Sequence, residues 1–208
     1  MRISALLICR NARSFIETCL NSVRRQTHPP DEILVVDGNS QDGTLEWLHQ
    51  QPDIRVISQL GHGIANARNT GILAASGDCI AFLDADDSWE PEKLARQYGL
   101  MSQNPNLQAV TTLLTKSNDP DQAEWVAMTP SGFLVNRTVF DQFGLFNEEW
   151  VVASDHEWFI RTIRQGLTYE VIPVNLVLKG IHDQNLSIIK RKRYRSEMMA
   201  IMRQQQSL

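Results

Sequence analysis

The residues from Ile3 to Ile8 form a nearly unbroken apolar run, as a strand covered on both faces requires. Ser14 and Glu17 then stand three apart beside Ile16, Leu20 and Val23, which predicts a capping box and a helix with one apolar stripe, ended by Pro29-Pro30. Glu32 to Val36 reads as a second strand, closed by the loop residues Asp37-Gly38-Asn39-Ser40. A short helix over Leu45 to Gln50 and a third strand over Ile54 to Ser58 follow. Small residues at helical spacing between Ile64 and Ala75 predict a helix lying close to the sheet. Cys79 to Leu83 is the fourth strand, and Asp84 follows it directly.

Strands alternating with helices at this spacing predict an α/β fold, a Rossmann-like, mostly parallel sheet with helices on both faces. Ligands bind such sheets at the carboxyl ends of the strands, which is where Asp37 and Asp84 fall. Beyond Pro91 the pattern predicts a helix to about Gln103. It continues with strands over Gln108 to Leu114 and Trp125 to Met128, and helices near Arg137 to Phe143 and Ser154 to Gln165. Two strands are expected at Tyr169 to Ile172 and Asn175 to Ile181. The expected domain is residues 1–189. Residues 190–208 form a basic helical tail, with Lys190, Arg191, Lys192, Arg193 and Arg195 leading into a Met-rich stretch, and the helix expected to reach Gln206.

At 208 residues, with 42% hydrophobic and 21% charged residues, the chain has the size and composition of one globular domain. A net charge of −4 argues against nucleic acid as partner. Cys9, Cys19 and Cys79 are odd in number and widely spaced, so buried thiols are expected rather than a disulfide framework or a zinc site. The first apolar run is too short for a signal peptide, and no segment has the length of a membrane span, so a cytoplasmic location is expected. The Asn136-Arg137-Thr138 sequon is then coincidental. The basic tail suits a solvated helix or an oligomer contact, and also a peripheral contact with an anionic membrane surface beside a lipid-linked acceptor.

The densest chemistry lies in Leu83-Asp84-Ala85-Asp86-Asp87. Carboxylates this close repel one another unless a cation sits among them, and oxygen ligands of this kind suit Mg2+ or Mn2+. An acidic surface turn capping the next helix is the other reading of that cluster. Three segments occur in order: Val35-Val36-Asp37-Gly38-Asn39-Ser40-Gln41-Asp42-Gly43-Thr44, Ala67-Arg68-Asn69-Thr70-Gly71-Ile72, and Ser76-Gly77-Asp78 running through to Asp87. Together they resemble the family 2 glycosyltransferases of the GT-A fold, firmly from Ile3 to about Gln97 and more loosely from Gly132 to Ser187.

The resemblance implies a nucleotide-sugar-binding part over about 1–105 and an acceptor part over about 106–189. It implies a nucleotide-diphosphate sugar donor, a saccharide or lipid-linked acceptor, and inversion at the anomeric carbon in cell-surface polysaccharide or glycolipid synthesis. Asp37 would hold the nucleobase, Arg68 would face the diphosphate, and Asp84 would bind ribose or support the metal. Asp86 would ligate the metal, and His182, in Gly180-Ile181-His182-Asp183, would help hold metal or diphosphate, a satisfied structural histidine being the other reading. Asp155, in Ala153-Ser154-Asp155-His156-Glu157, would be the general base. Ser154 stands where the family has an acidic residue, which leaves a helix-capping role open for Ser154 and Asp155. His156 and Glu157 are expected to turn away from the Asp155 face. Trp125, Trp150 and Trp158 suit either sugar stacking or core packing.

Two other classes compete for these residues. Gly61-His62-Gly63 opens a helix after a strand, but Asn66 stands where a dinucleotide-binding fingerprint needs its third glycine. A non-catalytic sugar-nucleotide-binding or partner protein of the same fold is the remaining alternative, motivated by Ser154.

Overall fold

The computed structural model describes residues 1–117, 125–183 and 185–204. Its first half carries the expected alternation: β1 (Ile3–Cys9), α1 (Ile16–Arg24), β2 (Glu32–Asp37), α2 (Thr44–Leu48), β3 (Arg55–Ser58), α3 (Ile64–Ala74) and β4 (Cys79–Asp84). β1 lies parallel between β2 and β4, and β3 runs parallel along the outer side of β2. All four strands therefore end on one edge of the sheet, where Asp37 closes β2 and Asp84 closes β4.

The second half adds β5 (Ser88–Trp89), α4 (Lys93–Gln103), β6 (Ala109–Lys116), β7 (Trp125–Val126), a 3-10 turn (Pro130–Gly132) and β8 (Leu134–Asn136). It ends with α5 (Thr138–Phe143), α6 (Ser154–Arg164), β9 (Tyr169–Lys179), α7 (Leu186–Ile189) and α8 (Arg191–Gln204). Among the described residues one sheet runs β3-β2-β1-β4-β8-β6-β9-β5, with β7 beside β6. The long pairings are parallel, and β8 joins the two halves through short antiparallel pairings to β4 and β6. The fold is α/β with a mostly parallel sheet.

The period of two along β1 sorts the core into two layers. Ile3, Ala5 and Leu7 pack on one face with Ile16, Leu20 and Val23 of α1 and Leu94 and Met101 of α4. Leu6 and Ile8 pack on the other with Ala65, Ala67 and Ile72 of α3, Phe140 of α5 and Trp158 of α6. Burial of both faces is why β1 has no alternating polar set. The small-residue pattern of α3 has a direct cause: a methyl on Gly71 would overlap the Leu6 side chain, so the helix reaches the sheet only with glycine there. Lys93 is fully buried in the first layer. Its Nζ donates to Gln97 Oε1 at 2.8 Å and stands 4.3 Å from the centroid of the Trp89 ring.

Two expectations are corrected. The Ser14–Glu17 capping box does not form, because α1 begins at Ile16 after a turn in which the Phe15 and Ile16 N–H groups donate to the Ala12 carbonyl. Asp42, from the loop after β2, instead accepts the Arg13 N–H at 3.0 Å. The two strands expected around Pro173 are one strand, β9, which tolerates the missing N–H through register shifts against β6 between Thr112 and Leu114. The expected tail helix is present as α8, preceded by the short α7, with Ile201 of α8 fully buried and Ile188, Ile189, Met199 and Met202 exposed. Gln205 and Gln206, within the expected helix, and residues 118–124, within the expected acceptor part over about 106–189, lie outside the described residues. Among the described residues, no helix is long and apolar enough to cross a membrane.

Candidate active site

The parallel register brings Cys9 beside Asp37 and Ile8 beside Asp84, so the two acids sit on neighbouring strands of β1 at the same edge. Asp37 is buried. Its Oδ2 accepts the Ser40 N–H at 2.9 Å and its Oδ1 lies 3.6 Å from Cys9 Sγ, which folds the loop back over the strand end. Asn39 takes a positive φ of 60° to make that turn. The three cysteines are buried thiols, as expected. Burial pushes the Cys79 thiol up to about 12, and it raises Cys9 as well, with Asp37 adding to the rise.

Ligand oxygens of Asp84, Asp86 and Asp87 all lie within 4.8 Å of one another. The three side chains differ in environment. Asp87 is turned inward, where it accepts from Ser131 Oγ at 2.6 Å and from the Gly180 N–H at 3.0 Å, and pairs with Lys179 Nζ at 3.2 Å. Desolvation pushes its carboxyl up to about 6, opposed by Lys179 and helped by Asp84 and Asp86. Asp86 is partly exposed, with Oδ2 at 3.1 Å from His182 Nε2 and accepting from Asn185 Nδ2 at 2.8 Å. Asn185 Oδ1 also accepts the His182 N–H at 2.7 Å, and Phe15 stacks on the His182 ring with centroids 4.5 Å apart.

This donor set fits a divalent cation. Adjacent ligands on an octahedral ion with bonds of about 2.1 Å stand about 3 Å apart, which matches the separation between Asp86 Oδ2 and His182 Nε2. Asn185 and Phe15 orient the two groups, as outer partners of metal ligands do. Gly180 is required by this arrangement, since a methyl there would overlap the Asp86 carbonyl.

Arg68 and Asp155 form the second part of the site. Arg68, on α3, is buried, and its Nη2 donates to Asp84 Oδ1 at 2.9 Å. Its Nη1 has no hydrogen-bond partner among the described residues. Asp155, in the first turn of α6, lies within the field of that guanidinium. Burial raises the Asp155 carboxyl, but its contact with His156 and the charge of Arg68 outweigh this and hold it below the ordinary carboxylate value. The expectation that His156 turns away is wrong, because its ring folds back until Nδ1 stands 3.0 Å from Asp155 Oδ1. That contact raises the His156 pKa against the opposing effect of burial.

The structure thus brings together Arg68, Asp84 and Asp155, and separately Asp86 with His182, all along the carboxyl edge. Asp37 stands two strands from Asp84. Neither Ser154 nor Asp155 caps α6, because the cap position is Ala153 and the buried Ser154 Oγ has no partner among the described residues. Glu157 pairs with Arg161 instead of facing the site. Trp158 is core, stacked against Phe140 and Phe146, whereas Trp125 is 53% exposed. Sequence reasoning missed Lys179, Asn185, Tyr194 and Glu197. Lys179 and Asn185 flank His182 closely enough to be suspected, while nothing local marks the other two.

A notch of about 150 Å³ lies between Phe15, Thr18 and Cys19 on one side and Asp86, Asp87 and Gly180 on the other. A larger hollow of about 410 Å³, beside Asn106, Leu107, Thr168 and Tyr169, sits at the amino ends of β6 and β9, away from the acidic cluster. Chemistry and not volume marks the site.

Comparison with known proteins accords with this geometry. The family model for glycosyl transferase family 2 matches residues 4–168. The chain is 38% identical over 104 residues to the putative teichuronic acid biosynthesis glycosyltransferase TuaG of Bacillus subtilis, covering 48% of this chain and 41% of that protein. It is 37% identical over 105 residues to the UDP-Glc:alpha-D-GlcNAc-diphosphoundecaprenol beta-1,3-glucosyltransferase WfgD of Escherichia coli, covering 49% and 42%. The chain thus spans less than half the length of these curated relatives. Among solved structures, S. aureus TarS 1-349 in complex with UDP-GlcNAc is similar with a TM-score of 0.80 at 18% identity, over 97% of this chain and 65% of that one. The mannosyltransferase PcManGT from Pyrobaculum calidifontis, in complex with GDP-Man and Mn2+, gives 0.72 at 22% identity, over 92% and 60%. A family match over most of its length, carried on this architecture, makes the chain a member of the family 2 glycosyltransferases, with the GT-A fold.

Proposed function

We propose that the chain transfers a sugar from a nucleoside-diphosphate donor to a hydroxyl of a saccharide or lipid-linked acceptor, with inversion, in polysaccharide or glycolipid synthesis. The observation that carries this reading is the Asp86–His182 pair, 3.1 Å apart at the carboxyl edge of the sheet, with Arg68, Asp84 and Asp155 beside it. Asp86 and His182 would hold Mg2+ or Mn2+, which when bound supplies positive charge against the donor diphosphate.

The remaining roles belong to side chains. Asp37, buried at the end of β2, reads the nucleobase from the floor of its loop. Arg68 carries a buried N–H without an acceptor among the described residues, and a diphosphate oxygen supplies one. Asp84 holds Arg68 in place and faces the ribose. Asp155 accepts the proton of the acceptor hydroxyl as that oxygen attacks the anomeric carbon; His156, 3.0 Å away, stabilises the carboxylate in the form that can accept it. One base on the face opposite the departing diphosphate yields inversion.

The test is calorimetric titration of UDP and GDP into the protein, with Mn2+ and with chelator, for wild type and Asp86→Ala. The expected result is metal-dependent binding of one nucleotide, lost in the variant while its thermal midpoint stays close to that of wild type. Nucleotide binding indifferent to metal and to the substitution would overturn the assignment.

A further inference from the structure

Helix α8 lies beyond residues 4–168, the span that the family model matches, yet its side chains hydrogen-bond the loop that leads into α6 and reach His156 in the first turn of that helix. A helix N-terminus leaves N–H groups without partners, and the loop that leads into α6 adds three more. Glu197 of α8 satisfies that loop: its Oε1 accepts the Val151 N–H at 3.1 Å, and its Oε2 accepts those of Val152 and Ala153 at 2.9 Å each. The helix has no side-chain cap of its own, and Ser154 Oγ makes no hydrogen bond among the described residues. Glu197 is 7% exposed. Its burial disfavours charge, but Arg193 and the three N–H groups outweigh this and keep the carboxyl below its ordinary value.

A second contact comes from the preceding turn of α8. Tyr194 Oη stands 3.4 Å from His156 Nε2, with the two rings edge to face at 5.5 Å. Residues three apart share a helix face, so Tyr194 and Glu197 reach the same target together, and Ile201, fully buried four residues on, anchors that face. His156 is held between Tyr194 on one ring nitrogen and Asp155 on the other. Asp155 is thereby held through the Val151–Ala153 loop that leads into α6 and, through His156, from its carboxylate. The charged and titratable groups around the pair are Arg68 from α3, Asp155 on α6, and Tyr194, Arg193 and Glu197 from α8.

We propose that Glu197 and Tyr194 are positioning residues for Asp155, so that α8 is a working part of the catalytic centre, setting where the α6 carboxylate stands. The inference rests on the reading of Asp155 as the base. A carboxylate displaced by about 1 Å loses on the order of 100-fold in rate, so an element that fixes it is needed even though it never meets the substrate.

The experiment uses the full chain with Glu197→Gln, which keeps size but replaces one accepting oxygen, and Tyr194→Phe. Turnover of UDP-GlcNAc or GDP-Man, Mn2+-dependent affinity for UDP or GDP, and the His156 ring titration by NMR are measured for each. In Glu197→Gln, kcat is expected to fall about 10- to 100-fold with nucleotide affinity changed less than about twofold. The His156 titration is expected to drop toward the ordinary imidazole value in both variants, as in Asp155→Asn. Unchanged kcat and an unchanged His156 titration would overturn the proposal. So would a parallel fall of kcat, nucleotide affinity and thermal midpoint, since that marks a role in folding alone. If wild type turns over neither sugar nucleotide, the transferase reading has lost its support. The His156 titration still decides whether Glu197 sets the Asp155–His156 pair, and Tyr194→Phe reports on it if Glu197→Gln does not fold.

Discussion

Arg68 Nη2 donates to Asp84 Oδ1 at 2.9 Å across 16 residues of sequence, from the second turn of α3 to the last residue of β4. The pairing fixes the guanidinium while leaving Nη1 buried and without an acceptor among the described residues. An unpaired buried donor costs about 1–3 kcal/mol, and an arriving anionic oxygen returns that energy. Arg68→Lys keeps a charge toward Asp84 but lacks the second terminal nitrogen. It should weaken Mn2+-dependent UDP or GDP binding about tenfold or more. Arg68→Met leaves Asp84 without its cation and should cost about 3 kcal/mol in urea denaturation. Wild-type nucleotide affinity in Arg68→Lys would show that Nη1 faces no ligand.

The Asp155–His156 pair predicts how stability depends on pH. The Asp155 carboxyl is lowered, so its contribution is present above the ordinary carboxylate value and is lost as pH falls through the lowered one. The His156 imidazole is raised, so its contribution is complete below the ordinary imidazole value and is lost as pH rises through the raised one. Both contributions coincide between about pH 4 and 6.5. The stability difference between wild type and His156→Asn should therefore peak near about pH 5.5 and shrink by about pH 9. With the imidazole partly open to solvent, its maximum should be no more than about 1 kcal/mol. Chemical denaturation across that range checks it, and a difference that grows with pH would contradict the assigned pairing.

Gly180 and Gly99 make a matched comparison. A methyl at Gly180 would overlap the backbone carbonyl of Asp86, whereas one at Gly99, within α4, meets nothing within 4 Å. Gly180→Ala should displace Asp86 from His182 and abolish the metal dependence of nucleotide binding. Gly99→Ala should leave binding intact and stabilise the fold by about 0.5–1 kcal/mol. Retained metal dependence in Gly180→Ala would show that the Asp86–His182 spacing is not the determinant.

What the sequence determined by itself was local and periodic. The unbroken apolar runs of β1, β2 and β4 announced strands buried on both faces, the turn residues after Val36 and the acids after Leu83 marked carboxyl ends, and the order of motifs identified the family. These features are legible because a strand's burial and a loop's turn chemistry are written in adjacent residues. Whatever depended on pairing between distant residues was decided by the tertiary structure. No side chain caps α1, and the turn before it is tied instead by Asp42, a carboxylate delivered from the loop after β2 that reaches the Arg13 N–H directly. The start of α6 is held by Glu197, more than 40 residues later in the chain, and its acidic side chain looks in sequence like any other on a charged helix. The position of the His156 ring is not legible in the sequence because helical spacing fixes where Cβ points, whereas χ rotation lets the ring fold back onto the preceding carboxylate. Asp86 and Asp87 are adjacent in sequence, yet one faces His182 and the other is buried against Lys179, a division made by where β9 passes beneath the loop.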